Sequence, residues 1–442
     1  MEKIATKQNS FSNSIESFFK LREYGTTIST EITAGITTFM TMAYILIVQP
    51  TFMSAAGMDT GAVTVVTAIL SAGFSIWMGL YTNRPFAMAP AMGGNAFFAY
   101  TLVAGGVVNW QIGMGMVFLS GIGFLVLTLF GLREIIVKAI PKNLKFAIGV
   151  AVGFFIAMVG FTNGNIMTIV NGNIQMGNLR DPRTIVALSG LVITIGLVLN
   201  RVKGGVLIGI LISTVIGIPL GVTQIPDTFF ALPPSIMPIA FKLDILGALK
   251  WSFFPLIFTF FVGDFFSTLG TLLGVSAKAN LLDKNGNLPD IDKPFLVDSI
   301  ATIAGAILGS TTITTFLESA AGVEEGGRTG LTAITTGICF ILTIFITPIV
   351  YIIPSAATAP ALIFIGILMM TSMKFIEMDD LTDFVPAIIT IMFTIFTNNM
   401  ATGMSIGILS YVIIKILIGK FRELNLPILI LSVPLIGYFI LI

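Results

Sequence analysis

The chain has no histidine, a single cysteine and little charge in its 442 residues. Without imidazole it has no histidine proton relay, no His-ligated zinc or haem and no Ser–His or Cys–His catalytic pair. That leaves carboxylates as the side chains able to move protons near neutral pH. One thiol, Cys339, excludes a disulfide framework within the chain and a thiolate metal cluster. Set in an apolar run, it reads as a small buried or lipid-facing side chain. Charged residues make up 10% of the chain, against about 25% in a soluble globular protein. The 23 basic residues balance 22 acidic ones and lie mostly in connections, so no nucleic-acid partner is expected. Gly-rich segments lack the strand–Gly–Lys arrangement of a phosphate loop. Neither a cofactor nor an enzymatic activity is expected. Residues 1–28 read as a polar cytoplasmic segment with a short amphipathic stretch from Ile15 to Leu21. They lack the basic–apolar–small pattern of a cleaved leader.

What is abundant is apolar sequence: 55% of residues are hydrophobic and the mean hydropathy is +0.98. Many runs approach the roughly 20 residues needed to cross a bilayer, which predicts an all-α polytopic membrane protein. Candidate spans fall at about 31–50, 61–81, 86–105, 111–130, 145–161, 185–200 and 204–220. A second series falls at about 252–275, 296–310, 312–325, 330–352, 355–373, 384–398 and 403–419, with a last apolar run at 425–442. Arg84, the cluster Arg133, Lys138, Lys142 and Lys145, and then Arg201 and Lys203 occupy every second connection. Lys278, Lys284, Arg328, Lys374, Lys420 and Arg422 continue that parity. Arg180, Arg183, Lys242 and Lys250 are exceptions. The majority places the N-terminus inside, in the cytoplasmic membrane of the cell.

A weak repeat relates the halves: the stretch after Pro141 and the stretch after Pro354 each lead to an acidic link and two further spans. Seven is odd, so two such halves would insert with opposite orientation, as in many secondary transporters. The broken, polar spans belong to the first part of each half. This predicts a substrate-holding core at 29–135 and 250–353 and a gate or scaffold at 136–249 and 354–442. A scaffold that must stay fixed could be anchored by a homodimer.

Three polar constellations interrupt the apolar runs. In span 3, Pro85, Pro90, Gly93, Gly94 and Asn95 break the helix and expose backbone groups, with a new helix expected to start near Asn95. A kinked packing helix is the plainer reading. In span 10, Thr311, Thr312, Thr314 and Thr315 precede Glu318, and Gly322, Gly326, Gly327 and Gly330 follow. A carboxylate at that depth is a functional-site hypothesis by default. Glu318 is expected near the start of a half-helix, accepting N–H groups of a ligand; a structural pair with Arg328 is the alternative. Glu324, Glu325 and Arg328 are placed at the cytoplasmic mouth, solvated or paired. In span 8, Asp264, Ser267, Thr268 and Thr271 recur at i, i+3, i+4 and i+7, predicting one polar stripe. Span 1 carries Thr37, Thr38, Thr41 and Tyr44, with Gln49 at its end. Phe86, Phe97, Phe98 and Phe316 could stack a planar ligand, although packing is the commoner role of a phenylalanine.

At these residues the chain resembles the AzgA-like nucleobase permeases, carriers of hypoxanthine, guanine and adenine related to the xanthine/uracil permeases. The resemblance spans about residues 20–440. It rests on the run from Thr33 to Leu46, the run Ala89-Pro-Ala-Met-Gly-Gly-Asn-Ala-Phe-Phe-Ala-Tyr100, and Thr315-Phe-Leu-Glu-Ser-Ala-Ala-Gly322 with Gly326-Gly-Arg-Thr-Gly-Leu331. It implies about 14 transmembrane segments in two inverted 7-span repeats, with short strand-like breaks in spans 3 and 10. It also implies proton-coupled purine uptake, with the base held between spans 3, 8 and 10. The expected substrate ligands are Glu318, Asp264, Ser267, Asn95, Gly94, Phe97, Thr41 and Thr315, and the expected proton carriers are Glu318 and Asp264. Asp264 occupies the family's first acidic position in span 8, whereas Ser267 stands at the second and Ala91 replaces a usual Gly in span 3. An anion carrier of the same architecture would be expected to place Arg or Lys at the centre. A cation channel lined by Glu318 and Asp264 is the reading from a different class.

Overall fold

Short polar residues at the head of apolar runs set where the helices begin. The computed structural model describes residues 13–131, 140–170, 173–225, 232–284, 288–346, 352–397 and 399–441. α1 (Ile28–Met42) is capped by Thr27, whose hydroxyl accepts from Thr30 N. A turn at Ala43 and Tyr44 separates it from α2 (Ile45–Ala55). α3 (Thr60–Thr82) starts on the Asp59 carboxylate and stops at Asn83, which takes a left-handed φ of 50°. Then come β1 (Met88–Pro90), α4 (Met92–Ala96), a π-helical stretch over Phe97–Val103 and α5 (Trp110–Leu129), capped by Asn109. α6 (Lys142–Asn163) leads through a hairpin of β2 (Met167–Val170) and β3 (Asn173–Met176) to α7 (Pro182–Leu199) and α8 (Gly205–Gly217). The second half runs through α9 (Ile245–Ala248), α10 (Phe254–Lys278), α11 (Asp292–Leu308), β4 (Ile313–Thr315), α12 (Ser319–Glu324) and α13 (Gly330–Thr343). It closes with α14 (Ser355–Met370), α15 (Leu381–Thr397), α16 (Met400–Leu417) and α17 (Leu426–Leu441). Caps from Thr, Asp and Asn satisfy amides that a helix start leaves open, a need that lipid cannot meet.

Among the described residues, eight helical stretches are long and apolar enough to cross a bilayer, and four shorter apolar helices accompany them. The protein is a mostly helical, multi-pass membrane protein. Buried hydroxyls bond back one turn, as Thr64 to Thr60 O, Thr128 to Phe124 O and Thr259 to Pro255 O do at 2.7–2.9 Å, so they require no partner from lipid. Three sequence expectations shift. Span 1 is one helical stretch over Ile28–Ala55, longer than expected, with a turn at Ala43 and Tyr44. The helix after the span-3 break starts at Met92 rather than Asn95, because Ala91 is extended and gives its N–H to Thr312 O at 2.8 Å. The link after α6, read as plain connection, holds the β2–β3 hairpin. Residues 1–12, Arg133, Lys138 and the expected core–gate boundary at 135–136 lie outside the described residues.

The two broken spans meet. β1 and β4 pair antiparallel with Met88 opposite Thr315, Ala89 opposite Thr314 and Pro90 opposite Ile313. Flanking bonds extend the ribbon: Phe316 N donates to Ala87 O at 2.9 Å, and Ala87 N to Ser319 Oγ at 3.0 Å. Two short interruptions thus satisfy each other's backbone at membrane depth, where unpaired amides would cost several kcal/mol each.

Glu31, at the start of α1, staples the next turn in place. Fully buried, its carboxylate accepts from Arg328 N at 2.8 Å, Thr329 N and Thr332 N at 3.2 Å, and Thr332 Oγ1 at 2.6 Å. It therefore caps α13 from nearly 300 residues away. Glu31→Ala would leave those donors unpaired, at about 3 kcal/mol or more for bonds to a charged group. We expect the thermal midpoint of the detergent-purified protein to drop by several degrees; an unchanged midpoint would refute the capping role.

Candidate substrate-binding site

Glu318 sits between the end of β4 and the first turn of α12, at the N-cap position. Its placement follows from the ribbon: Phe316 and Ser319 are tied to Ala87, which leaves Leu317 and Glu318 on the unpaired side. Leu317 is 59% exposed and Glu318 is half-buried. The Tyr44 hydroxyl donates to Glu318 Oε1 at 2.5 Å. Arg328 does not pair with Glu318: its Nη1 donates to Val323 O and Gly327 O. Glu324 and Glu325 pair with Lys278 at 2.5 Å and Lys203 at 2.7 Å.

One side of α10 is left uncovered and forms the candidate opening. Ser267 and Gly270 are exposed there. Gly263, a turn earlier, faces Met400 Cε across 3.5 Å from where a Cβ would stand, and Gly274, a turn later, faces Leu317 Cδ1 across 3.7 Å. The opening is thus bounded by the start of α16 at one end and the Glu318 loop at the other. Lys145 of α6 reaches over Phe266, 5.3 Å from the ring centre. From span 3, Gly94 is half-buried, and a Cβ there would stand 2.7 Å from Thr312 Oγ1. A larger residue there would force Thr312 to shift.

Asp264 does not share a stripe with Ser267. It is buried and accepts from Thr302 Oγ1 at 2.7 Å through Oδ2. Opposite it, Asp298 of α11 accepts from Thr268 Oγ1 at 2.7 Å and from Thr315 N at 3.0 Å. Each helix therefore contributes an Asp and a Thr four residues on, and the pairs cross: Asp264 with Thr302, Thr268 with Asp298. Thr268 also bonds Thr314 at 2.6 Å, and Thr302 exchanges bonds with Ile313 O and N at 3.3 and 3.2 Å. This crossed ladder grips β4. Asp264 Oδ1 is buried without a partner.

The remaining sequence-selected residues divide. Asn95 is fully buried, its Oδ1 accepting from Thr311 Oγ1 and its Nδ2 unpartnered. Phe97 is no stacking platform: it is 1% exposed and packs edge-on against Phe260 at 5.1 Å. Thr315 is buried and its hydroxyl faces Asp298 at 3.4 Å. Thr41 is half-buried, its hydroxyl bonded back to Thr37 O and Thr38 O at 3.2 and 2.8 Å. Glu318, Ser267, Gly94 and Thr41 thus keep some exposure, whereas Asp264, Asn95, Phe97 and Thr315 form the wall behind them. Sequence reasoning missed Asp298, Thr302 and Glu31, and noted Tyr44 only as part of a stripe. The signal that could have found the first two is the repeated Asp-x-x-x-Thr, at Asp264 and again at Asp298.

Two interrupted helices paired beside a part-open carboxylate, within a bundle of apolar helices, define a membrane transporter and not an enzyme. The chain belongs to the Permease family of xanthine/uracil type, whose model matches residues 29–406. It is 42% identical to a putative permease of Methanocaldococcus jannaschii over 95% of this chain and 96% of that protein. Adenine permease AdeP of Escherichia coli is 39% identical, with 95% of this chain and 94% of that protein covered. Guanine/hypoxanthine permease PbuO of Bacillus subtilis is 37% identical, with 92% and 96% covered. Among solved structures, the transmembrane domain of the cyanobacterial bicarbonate transporter BicA superposes with a TM-score of 0.61 at 14% identity, over 86% of this chain and 97% of that one. Murine Slc26a9, an anion transporter solved in an inward-facing state, gives 0.62 at 12% identity, over 89% and 68%. These two likenesses concern the fold.

Proposed function

We propose that this protein takes up purine nucleobases across the cytoplasmic membrane by proton-coupled alternating access, with its N-terminus inside. The observation that carries the reading is Glu318, a half-buried acid with one oxygen held by Tyr44, next to Leu317, which packs against Gly274 on the uncovered side of α10. A carboxylate there accepts N–H groups of a heterocycle. The names of relatives at 37–39% identity, adenine and guanine/hypoxanthine permeases, point to the same substrate class. Fourteen spans in two inverted repeats would account for the antiparallel pairing of β1 with β4. In this reading the core at 29–135 and 250–353 carries the ribbon, α10 and α11, and moves against a gate formed by 136–249 and 354–442. The Asp264–Asp298 ladder is the proton site: two carboxylates in one buried network cannot both be charged without a large desolvation and repulsion cost. Proton occupancy would be felt by the substrate through β4, which the ladder grips.

An anion carrier is disfavoured because the side chain at the head of the span-10 half-helix is an acid, Glu318, and not Arg or Lys. The test is uptake of radiolabelled adenine, guanine, hypoxanthine, xanthine and uracil into proteoliposomes, with and without an inward proton gradient. Saturable accumulation of at least one purine, enhanced by the gradient, is expected. No accumulation under either condition would refute the nucleobase reading, and ohmic currents would favour a channel.

A further inference from the structure

We infer that Tyr44 is a positioning residue for the substrate ligand, pinning one oxygen of Glu318 so that the other is presented to the base; this rests on the purine reading above. The route to it is conformational. α1 ends at Met42 and α2 starts at Ile45, so Ala43 and Tyr44 form a tighter turn within one helical span, where Leu46 N bonds to Ala43 O and Ile47 N to Tyr44 O. Pro50, inside α2, lacks the N–H that would bond back to Leu46. At this turn, the Tyr44 ring is 1% exposed and its hydroxyl reaches Glu318 Oε1 at 2.5 Å. That is a short hydrogen bond from a phenol to a carboxyl oxygen.

The ring is sealed in the core, so Tyr44 does not itself meet a ligand arriving through the opening by Ser267 and Gly270. It acts through Glu318. A free glutamate beside an opening would swing among rotamers, and a base would have to order it on binding. A hydroxyl fixed by a buried ring removes that freedom beforehand, which is how preorganisation adds affinity without adding a contact. The second consequence is chemical. With Oε1 engaged by Tyr44, the remaining acceptor capacity of Glu318 suits a single in-plane ring N–H.

The experiment is transport kinetics of the wild type and Tyr44→Phe in proteoliposomes at matched insertion, using whichever purine the wild type takes up best, together with ligand-free thermal midpoints. Tyr44→Phe is expected to raise KM about threefold to tenfold, the cost of ordering one rotamer-rich side chain on binding, with the maximal rate within about twofold and the midpoint lowered by no more than a few degrees. An unchanged KM overturns the inference. So does a fall in maximal rate at constant KM, or a collapsed midpoint, since either describes a structural prop. Tyr44→3,5-difluorotyrosine, nearly isosteric with a more acidic hydroxyl, is expected to shift KM and to fold like the wild type; no shift overturns the positioning role. A wild type that takes up no purine removes the function reading and this inference together, whereas normal wild-type uptake with an unaltered Tyr44→Phe removes the inference alone.

Discussion

Glu318→Gln is expected to cut purine uptake at subsaturating substrate by about 100-fold, with the protein still inserted. The argument is directional. Tyr44 O–H donates to Oε1 and cannot donate to an amide nitrogen, so the glutamine turns its carbonyl oxygen towards Tyr44. The NH2 group then takes the place of the free oxygen and faces the N–H of the base, donor against donor. Losing a charge-assisted bond costs about 1.5–3 kcal/mol, and leaving donors unpaired adds to it. At roughly 1.4 kcal/mol per factor of ten, a 100-fold loss lies near the top of that range. The check is initial-rate uptake with equal amounts of reconstituted protein. A variant that retains a third of wild-type uptake would show that Glu318 is not the ligand.

Asp298→Asn should separate proton coupling from substrate binding. Asp298 Oδ1 accepts from the Thr315 amide, which cannot reverse, so the asparagine carbonyl must stay there. Its NH2 then faces Thr268 Oγ1, a hydroxyl free to accept and to donate onward to Thr314. Every hydrogen bond of the ladder survives while the ionisable group is lost. Counterflow exchange of purine across the membrane should therefore stay within about threefold of wild type. Accumulation should not. A pH difference of one unit supplies about 1.4 kcal/mol per proton, enough for roughly tenfold accumulation at one proton per base, and the variant is expected to stop near equal concentrations on both sides. Retained tenfold accumulation would remove Asp298 from the coupling path.

The parts of this site that were legible in the sequence are those with local causes. Hydropathy exposed Glu318 as an acid out of place. Pro90 with Gly93 and Gly94, and the Thr-rich run before Glu318, marked both interruptions because helix-breaking is a property of the residue itself. Asp298 stands at the very edge of the candidate span 296–310, a few residues after Asp290, Asp292 and Lys293, where hydropathy does not mark an acid as out of place. The span-8 stripe failed for a different reason. Ser267 and Thr268 are about 100° apart on a helix of 3.6 residues per turn, so one can face an opening while the other faces a neighbour. Spacing alone does not say which. Phe97 is ambiguous on the same ground: its ring fits a flat ligand and Phe260 equally well, and in this structure it packs on Phe260.

The amino-acid sequence by itself determined that this chain lives in a membrane, where its helices begin and break, and that carboxylates carry any polar work at its centre. Those follow from transfer free energies and backbone geometry, which act residue by residue. The tertiary structure alone decided which acid faces the opening and which is walled in. Glu318 is set by Tyr44, 274 positions away, Asp264 by Thr302, 38 away, and α13 by Glu31, 297 from Arg328. A buried polar group is defined by the partner that satisfies it, and that partner is supplied by the fold.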